Sequence, residues 1–157
     1  MGMAAKLSGY LRSHPVHYEL VQHPHSASSL QSASATQVPP GCVVKAVVLE
    51  DEDERLLIAV LPASHKIDLH ALRSDTGRML RLASESEVGE RFADCELGAV
   101  PPIGPAYGIE TVWDDSLANE PEVYFEAGDH EHLVHMTQAE FFRLTSGAPR
   151  ARFSRPD

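Results

Sequence analysis

The sequence has little positive charge and very few lysines. Its 157 residues contain 13 lysines and arginines against 23 aspartates and glutamates, which gives a formal net charge of −10 at pH 7. Only three of the basic residues are lysines, at Lys6, Lys45 and Lys66. This shortage excludes a broad basic face that binds nucleic acid indiscriminately. Any nucleic-acid partner must therefore be contacted locally, at one end of it.

Cysteine is also scarce, and its placement excludes the common cysteine motifs. Cys42 and Cys95 lie far apart in the sequence, and neither belongs to a Cys-x-x-Cys pair. A disulfide between them stays open, although reduced thiols suit a cytosolic protein better. Cys95 is flanked by Asp94 and Glu96, which disfavour its thiolate. We therefore expect Cys95 to be a poor nucleophile.

Long hydrophobic runs are missing as well. The longest uncharged apolar run is far short of a membrane span, and no signal-type stretch follows residues 1–6. We therefore expect a cytoplasmic protein that does not contact a membrane. The apolar fraction of 43% and the length of 157 residues are ordinary for one globular domain with a proper core.

One of the three lysines occupies an unusual position. Lys45 interrupts an otherwise apolar run, residues 42–49, whose β-branched side chains predict a central strand. A charge in such a strand is costly to bury unless something compensates it. Either the strand lies at an edge and the lysine reaches water along its stem, or the lysine points into a pocket for an anionic or carbonyl-bearing ligand.

A stiff loop is predicted about fifty residues downstream of Lys45. Residues 98–105 contain three prolines and two glycines, which excludes a helix or an inner strand. Proline restricts the path of the loop, and Gly98 and Gly104 let a ligand approach the main chain. Such a loop can direct backbone N–H groups at a carbonyl or a sugar. Further on, the strand-like run at 123–127 breaks at Gly128 and presents polar side chains.

The rest of the chain alternates short helical and strand patterns. Helices are predicted over residues 4–13, 68–74, 84–92 and 137–145, and strands over 18–23, 42–49, 56–61, 78–82, 109–113, 123–126 and 133–136. Strands outnumber helices and several neighbouring pairs are hairpin-like. The pattern therefore predicts a single α+β domain with a mixed, mainly antiparallel sheet.

The expected domain organisation has three parts. A helical N-terminal segment covers residues 1–17, the main domain covers 18–147, and a flexible basic tail covers 148–157. The tail carries Arg150, Arg152 and Arg155.

Lys45, the Gly98–Pro102–Gly104 loop and the Ala-Gly-x-His turn ending at His130 follow one another in a specific order. This order resembles the YbaK/prolyl-tRNA synthetase-associated domain family of trans-editing aminoacyl-tRNA deacylases, over roughly residues 18–145. The resemblance implies a curled, barrel-like sheet with helices around it. It also implies that residues 26–37 line the acyl pocket. Here that segment is rich in serine, and Leu30 is its only large apolar residue, so we expect a poorly anchored helix.

The resemblance implies an enzyme that hydrolyses the ester bond of mischarged aminoacyl-tRNA and removes a small amino acid such as alanine, cysteine, serine or threonine. It implies that Lys45 is the catalytic residue, and that the attacking water is oriented partly by the substrate's own ribose hydroxyl. The substrate-binding residues it implies are Gly98, Pro102, Gly104, Gly128 and His130. The implied partners are the acceptor end of aminoacylated tRNA and, left open, an aminoacyl-tRNA synthetase. No DNA partner and no cofactor are expected.

Other chemistries fit the sequence less well. His130, His132 and His135 cluster near one turn, but no set of three or four ligands shares a face, so no metal site is expected. Ser64 and His65 are adjacent, and neighbouring strand side chains diverge, so they do not form a nucleophilic pair. An inactive module that binds aminoacyl-tRNA or a synthetase remains the alternative, as does a regulatory partner of a synthetase.

Overall fold

The computed structural model describes residues 2–145 and 147–156. The helices are α1 (Ala5–Ser13), α2 (Ser29–Thr36), α3 (Leu69–Thr76), α4 (Glu85–Arg91) and α5 (Gln138–Leu144). The strands are β1 (Glu19–Gln22), β2 (Val43–Glu50), β3 (Leu56–Pro62), β4 (His65–Ile67), β5 (Arg81–Leu82), β6 (Glu110–Asp114), β7 (Glu122–Glu126), β8 (His132–Thr137), β9 (Arg150–Ala151) and β10 (Ser154–Pro156). No helix in these ranges is long and apolar enough to cross a membrane.

The main sheet has the strand order β1-β8-β7-β2-β3-β6-β9, with β5 also paired to β2. Neighbouring strands pair antiparallel except at β2/β7, β3/β6 and β6/β9. A separate ribbon joins β4 to β10. The expected α+β fold with a mixed, mainly antiparallel sheet is therefore confirmed. Over the described residues the sheet is an open path and does not close into a barrel.

Strand β2 lies in the middle of this sheet. It pairs with β3 as the predicted hairpin, Lys45 standing opposite Leu61, and with β7 on its other side. Val44 and Val48 point into the larger hydrophobic core, while Leu49 packs into a second core on the opposite face. Lys45 therefore does not belong to an edge strand, which removes the simpler of the two interpretations of that residue.

Asp51 organises the turn between β2 and β3. Its carboxylate is buried and accepts hydrogen bonds from the amides of Asp53 and Arg55, both at 2.9 Å. The Arg78 guanidinium approaches the same carboxylate to 2.8 Å. Burial alone would raise the pKa of Asp51, but the hydrogen bonds from Arg55 and Arg78 lower it to about 2. The folded protein therefore favours the ionised carboxylate.

This arrangement predicts a loss of stability in acid. The pKa of Asp51 is lowered from 3.8 to about 2 on folding, so its stabilising contribution is complete above the higher value and is lost as pH falls through the lower one. We expect Asp51→Asn to be less stable than wild type near neutral pH, with the difference shrinking in acid. Urea unfolding across this pH range measures it. Asp75→Asn, at an exposed aspartate, is the control. A constant difference at every pH would contradict the prediction.

The C-terminal segment is folded, unlike the flexible tail that we expected. Strand β9 extends the main sheet beside β6, and β10 pairs with β4. Phe153, between them, is 1% exposed; its amide donates to Asp114 Oδ1 at 2.9 Å and its carbonyl accepts from the Asp68 amide at 2.6 Å. Arg150 stacks over the ring of Phe142 at 4.6 Å. Phe153 is the one aromatic residue of the basic segment 148–157, so no repeating apolar pattern predicts that this segment packs against the sheet.

Helix α2 forms in the serine-rich segment by an unexpected means. Leu30, the expected anchor, is 46% exposed, whereas Ser29, Ser32 and Ala33 are buried. Ser32 lies on the same buried side as Ser26, with 2.7 Å between their hydroxyl oxygens. The small side chains let the helix pack closely, so it does not need a large apolar residue as an anchor.

Candidate functional site

A cavity of about 210 Å³ lies beside the middle of β2. Its lining residues come from the start of α2, from β2, from the end of β3 and from the proline-rich loop. They are Ala27, Ser28, Ser29, Leu30, Lys45, Ala46, Ala63, Gly98 and Val100. The structure thus places Lys45 and Gly98, two of the site residues expected from sequence, on the wall of one cavity.

Lys45 is half-buried and held at the cavity by the main chain. Its Nζ donates a hydrogen bond to the carbonyl oxygen of His65, at 2.7 Å. That carbonyl belongs to β4, so the lysine connects the central strand to the ribbon formed by β4 and β10. The cavity wall therefore carries a lysine side chain of restricted position.

The start of α2 lines the same cavity. Ser28 caps the helix, and its side chain accepts from the Gln31 amide at 3.2 Å. The Gln31 side chain in turn accepts from the Ala27 amide at 2.7 Å, which fixes the approach to the helix. The N–H groups and partial positive charge of a helix N-terminus favour electron-rich groups nearby. The resemblance implied that this segment lines a pocket, but the contribution of the helix start is visible only in the tertiary structure.

Gly98 lets the proline-rich loop approach the α2 segment. It has φ +81°, and a Cβ built there would lie 3.3 Å from the carbonyl oxygen of Ala27 and 3.4 Å from Nε2 of His130. Glycine is favoured here because the backbone has a positive φ and because a side chain would be crowded by Ala27 and His130. The loop therefore forms part of the cavity wall. Whether one of its N–H groups faces inward stays a prediction.

His130 contacts the proline-rich loop through Leu97 and is not among the residues that line the cavity. It is 3% exposed, and its Nε2 lies 2.7 Å from the carbonyl oxygen of Leu97, next to Gly98. Its Nδ1 lies 3.0 Å from Oε2 of Glu126, which is also buried. Burial raises the pKa of Glu126. Because of this position, His130 influences the cavity by holding the loop.

The other three expected binding residues also lie away from the cavity wall. Gly104 and Pro102 are buried in the protein, and a Cβ on Gly104 would lie 2.4 Å from the carbonyl oxygen of Ile109. A Cβ on Gly128 would lie 2.8 Å from that of Ala4, at the start of α1. Gly104 and Gly128 therefore allow close packing of the chain, a role that a motif in sequence cannot distinguish from ligand contact.

Cys95 is unsuited to nucleophilic catalysis, as expected from its neighbours. Burial raises its pKa to about 12, and the adjacent Asp94 adds to the rise. The sequence showed the carboxylate but not the burial, which is the larger cause. Both cysteines are free thiols.

The histidines near the Gly128 turn are each close to a carboxylate. His132 Nδ1 lies 2.7 Å from Asp129, and His135 Nε2 lies 2.8 Å from Glu122. Among the described residues, one group of side chains is close enough to share a metal ion: Asp51, Glu52 and Asp53. The Asp51 carboxylate is already bound by Arg78. The absence of a metal from the reaction stays a prediction.

The cavity combines a fixed cation, a helix N-terminus and a rigid glycine-containing wall. Positive charge and backbone N–H groups stabilise a carbonyl oxygen that becomes negative during a reaction. The alanine, glycine and valine residues of the same wall can contact a small apolar group. The arrangement therefore suits a ligand with a carbonyl or anionic group next to a small side chain.

Comparison with known proteins supports a specific family. The family profile of the aminoacyl-tRNA editing domain matches residues 23–144. A solved structure described as a candidate trans-editing enzyme for prolyl-tRNA synthetase is 27% identical, with a TM-score of 0.83. That alignment covers 97% of this chain and 96% of the other.

Two further solved structures share the fold. A hypothetical protein designated APE2540 has a TM-score of 0.84 at 22% identity, over 96% of this chain and 99% of its own. A candidate signal transduction protein from Marinobacter aquaeolei has a TM-score of 0.76 at 23% identity, over 98% of this chain and 31% of its own. Among curated proteins, no sequence matches this chain. Since the profile spans most of the chain and includes Lys45 and Gly98, the protein belongs to the aminoacyl-tRNA editing domain family.

Proposed function

We propose that this protein hydrolyses the ester bond of mischarged aminoacyl-tRNA and releases a small amino acid such as alanine, cysteine, serine or threonine. The observation that carries the proposal is the position of Lys45 on the wall of the cavity that α2 and Gly98 also line. The family to which the chain belongs supports a role in editing. The substrate then engages the protein through its acyl group and the terminal nucleotides of the tRNA.

This hydrolysis needs a protein to position the ester and to stabilise negative charge on its carbonyl oxygen, and the residues around the cavity can do both. A water oxygen bonds to the ester carbonyl carbon, and the bond from that carbon to the ribose oxygen breaks, the ribose oxygen leaving with a proton. Negative charge develops on the carbonyl oxygen on the way. The Lys45 ammonium and the N–H groups at the start of α2 stabilise that charge, while the rigid wall positions the ester. Thiol attack is not required, which agrees with the high pKa of Cys95.

The cavity volume favours a small acyl group. Drug-sized ligands occupy pockets of roughly 300–1,000 Å³, and this cavity has about 210 Å³. The preference among small amino acids is set by modest energies, because one methylene in an apolar pocket is worth only about 1–3 kcal/mol. We therefore expect partial overlap among alanine, cysteine, serine and threonine.

A panel of mischarged tRNAs tests the proposal. Release of alanine, cysteine, serine and threonine from tRNA is measured against a bulky amino acid such as phenylalanine on the same tRNA. Faster release of at least one small amino acid, above the protein-free rate, supports the proposed function. Binding of these tRNAs without any release would favour the inactive binding module instead.

A short substrate should work nearly as well as full-length tRNA. With a net charge of −10, the protein is not expected to contact phosphates along the whole tRNA. We expect an aminoacylated acceptor-stem hairpin to be cleaved with a kcat/KM close to that of the full tRNA. The salt dependence of binding should correspond to about one to three phosphate contacts. An inert hairpin beside an active full-length substrate would show that the tRNA body is recognised.

A further inference from the structure

Glu126 is a buried carboxylate that the proposed hydrolysis does not use. It is the last residue of β7, and its side chain is 2% exposed. Among the described residues, neither of its carboxylate oxygens has a hydrogen-bond partner. Burying a carboxylate without hydrogen bonds costs free energy, and replacing a buried ionic group by an apolar one of similar volume is often neutral or stabilising. The stability of the fold therefore does not explain why a carboxylate lies here.

The carboxylate lies against the imidazole of His130. Its Oε2 is 3.0 Å from His130 Nδ1, and on the other side of the ring Nε2 is 2.7 Å from the carbonyl oxygen of Leu97. A carbonyl oxygen only accepts hydrogen bonds, so Nε2 carries a proton. With Nδ1 unprotonated, its lone pair would face the ionised carboxylate. The contact is therefore favourable only when one further proton lies on Nδ1 or on Glu126.

The imidazole connects this carboxylate to the wall of the cavity. A Cβ built on Gly98, which lines the cavity, would lie 3.4 Å from His130 Nε2. Leu97, whose carbonyl accepts from the ring, is the residue before Gly98. A chain of contacts thus runs from Glu126 at the end of β7, through His130, to the part of the proline-rich loop that faces the cavity.

We propose that Glu126 is a positioning residue for deacylation, which shares a proton with His130, keeps the imidazole bound to Leu97 and so fixes the cavity wall at Gly98. The inference rests on the proposed function and gives a role to a residue outside the cavity. Hydrogen bonds in which the donor or acceptor is ionised are about twice as strong as neutral ones, so the carboxylate strengthens the tie to the loop. Misplacing reacting groups by about 1 Å can cost roughly a hundredfold in rate.

Amide hydrogen exchange followed by NMR tests the inference without relying on catalysis. Glu126→Met removes the carboxylate at similar size, and His130 can release its additional proton, so no buried charge is left unpaired. We expect this variant to be at least as stable as wild type in urea. The amides of Glu96 and Ala99, which donate to the carbonyls of Gly128 and Glu96 at 2.7 and 3.0 Å, should exchange about tenfold faster because the loop opens more often.

Two further variants separate proton sharing from packing. Glu126→Gln should exchange as wild type does, because its side-chain N–H can supply the proton to His130 Nδ1. The matched control is Glu122→Met, on the same strand, which removes a carboxylate 2.8 Å from His135 Nε2. Glu122 does not line the cavity, so loop exchange should be unchanged in this variant. With a cleavable substrate, kcat should fall about tenfold in Glu126→Met and stay near the wild-type value in the other two.

The exchange measurement distinguishes failure of this inference from failure of the proposed function. If wild type cleaves no substrate, the proposed function fails, and loop exchange still decides whether Glu126 holds the loop. Unchanged loop exchange in Glu126→Met would overturn the inference. An increase in Glu126→Gln as large as in Glu126→Met would also overturn it, because a shared proton would then be irrelevant. A Glu126→Met protein that is less stable than wild type, with faster exchange throughout the chain, would show that the carboxylate serves the fold instead.

Discussion

Lys45→Ala is expected to reduce deacylation by about a hundredfold to a thousandfold, the usual effect of removing one group that stabilises a developing oxyanion. The lysine lines the cavity, and its ammonium is positioned by the His65 carbonyl. Alanine removes the charged side chain but leaves the backbone pairing of β2 in place, so the sheet should remain folded. The rate of release from a mischarged tRNA under single-turnover conditions measures the effect directly.

The control for Lys45 is another lysine of the same chain. Lys6 is exposed on α1 and does not line the cavity, so Lys6→Ala should retain the wild-type rate. Circular dichroism and thermal unfolding of both variants establish that the fold is intact. A Lys45→Ala protein that is folded and turns over at nearly the normal rate would show that the proposed mechanism is wrong.

Gly104→Ala is expected to destabilise the protein by about 3 kcal/mol, at the upper end of the cost of overpacking. A Cβ at this position would lie 2.0 Å from Thr111 Oγ1 and 2.4 Å from the carbonyl oxygen of Ile109. The threonine side chain can rotate, but the carbonyl is backbone, so the chain itself has to shift. The free energy of unfolding in urea measures the loss.

A second glycine supplies the matched control. Gly89 lies inside α4, and a Cβ built there meets no atom within 4 Å. Gly89→Ala should be neutral or stabilise the protein by up to about 1 kcal/mol, because alanine is the better helix former. If Gly104 instead served only to contact substrate, Gly104→Ala would leave the unfolding free energy unchanged and raise KM.

Local patterns predicted most of the secondary structure. Residues 42–49 and 56–61 form the expected hairpin, and Asp68 and Ser84 cap their helices as their spacing indicated. These features depend on residues that are close in sequence, so alternation and capping motifs are sufficient to reveal them. The apolar strand around Lys45 was also recognisable from local sequence, but the position of β2 inside the sheet was needed to exclude an edge-strand lysine that reaches water.

Contacts between distant segments decided the rest. Gly98, Gly104 and Gly128 look alike in sequence, yet Gly98 lines the cavity while the other two are positions of close packing. Likewise, nothing near His130 in sequence shows that it lies under Leu97, 33 residues away, and supports the loop. A residue type indicates what chemistry is available, but only its neighbours in space decide whether it is used.

The sequence by itself therefore determined the type of fold, the family and the one lysine on which the proposed chemistry depends. The tertiary structure alone decided which glycines face the cavity, how a serine-rich helix is anchored by small residues, and that the C-terminal segment folds against β4. The physical reason is the range of the interactions. Helix caps and strand alternation arise between near neighbours, whereas the burial of Phe153 and the pairing of Arg155 with Lys66 require segments far apart in the chain to meet.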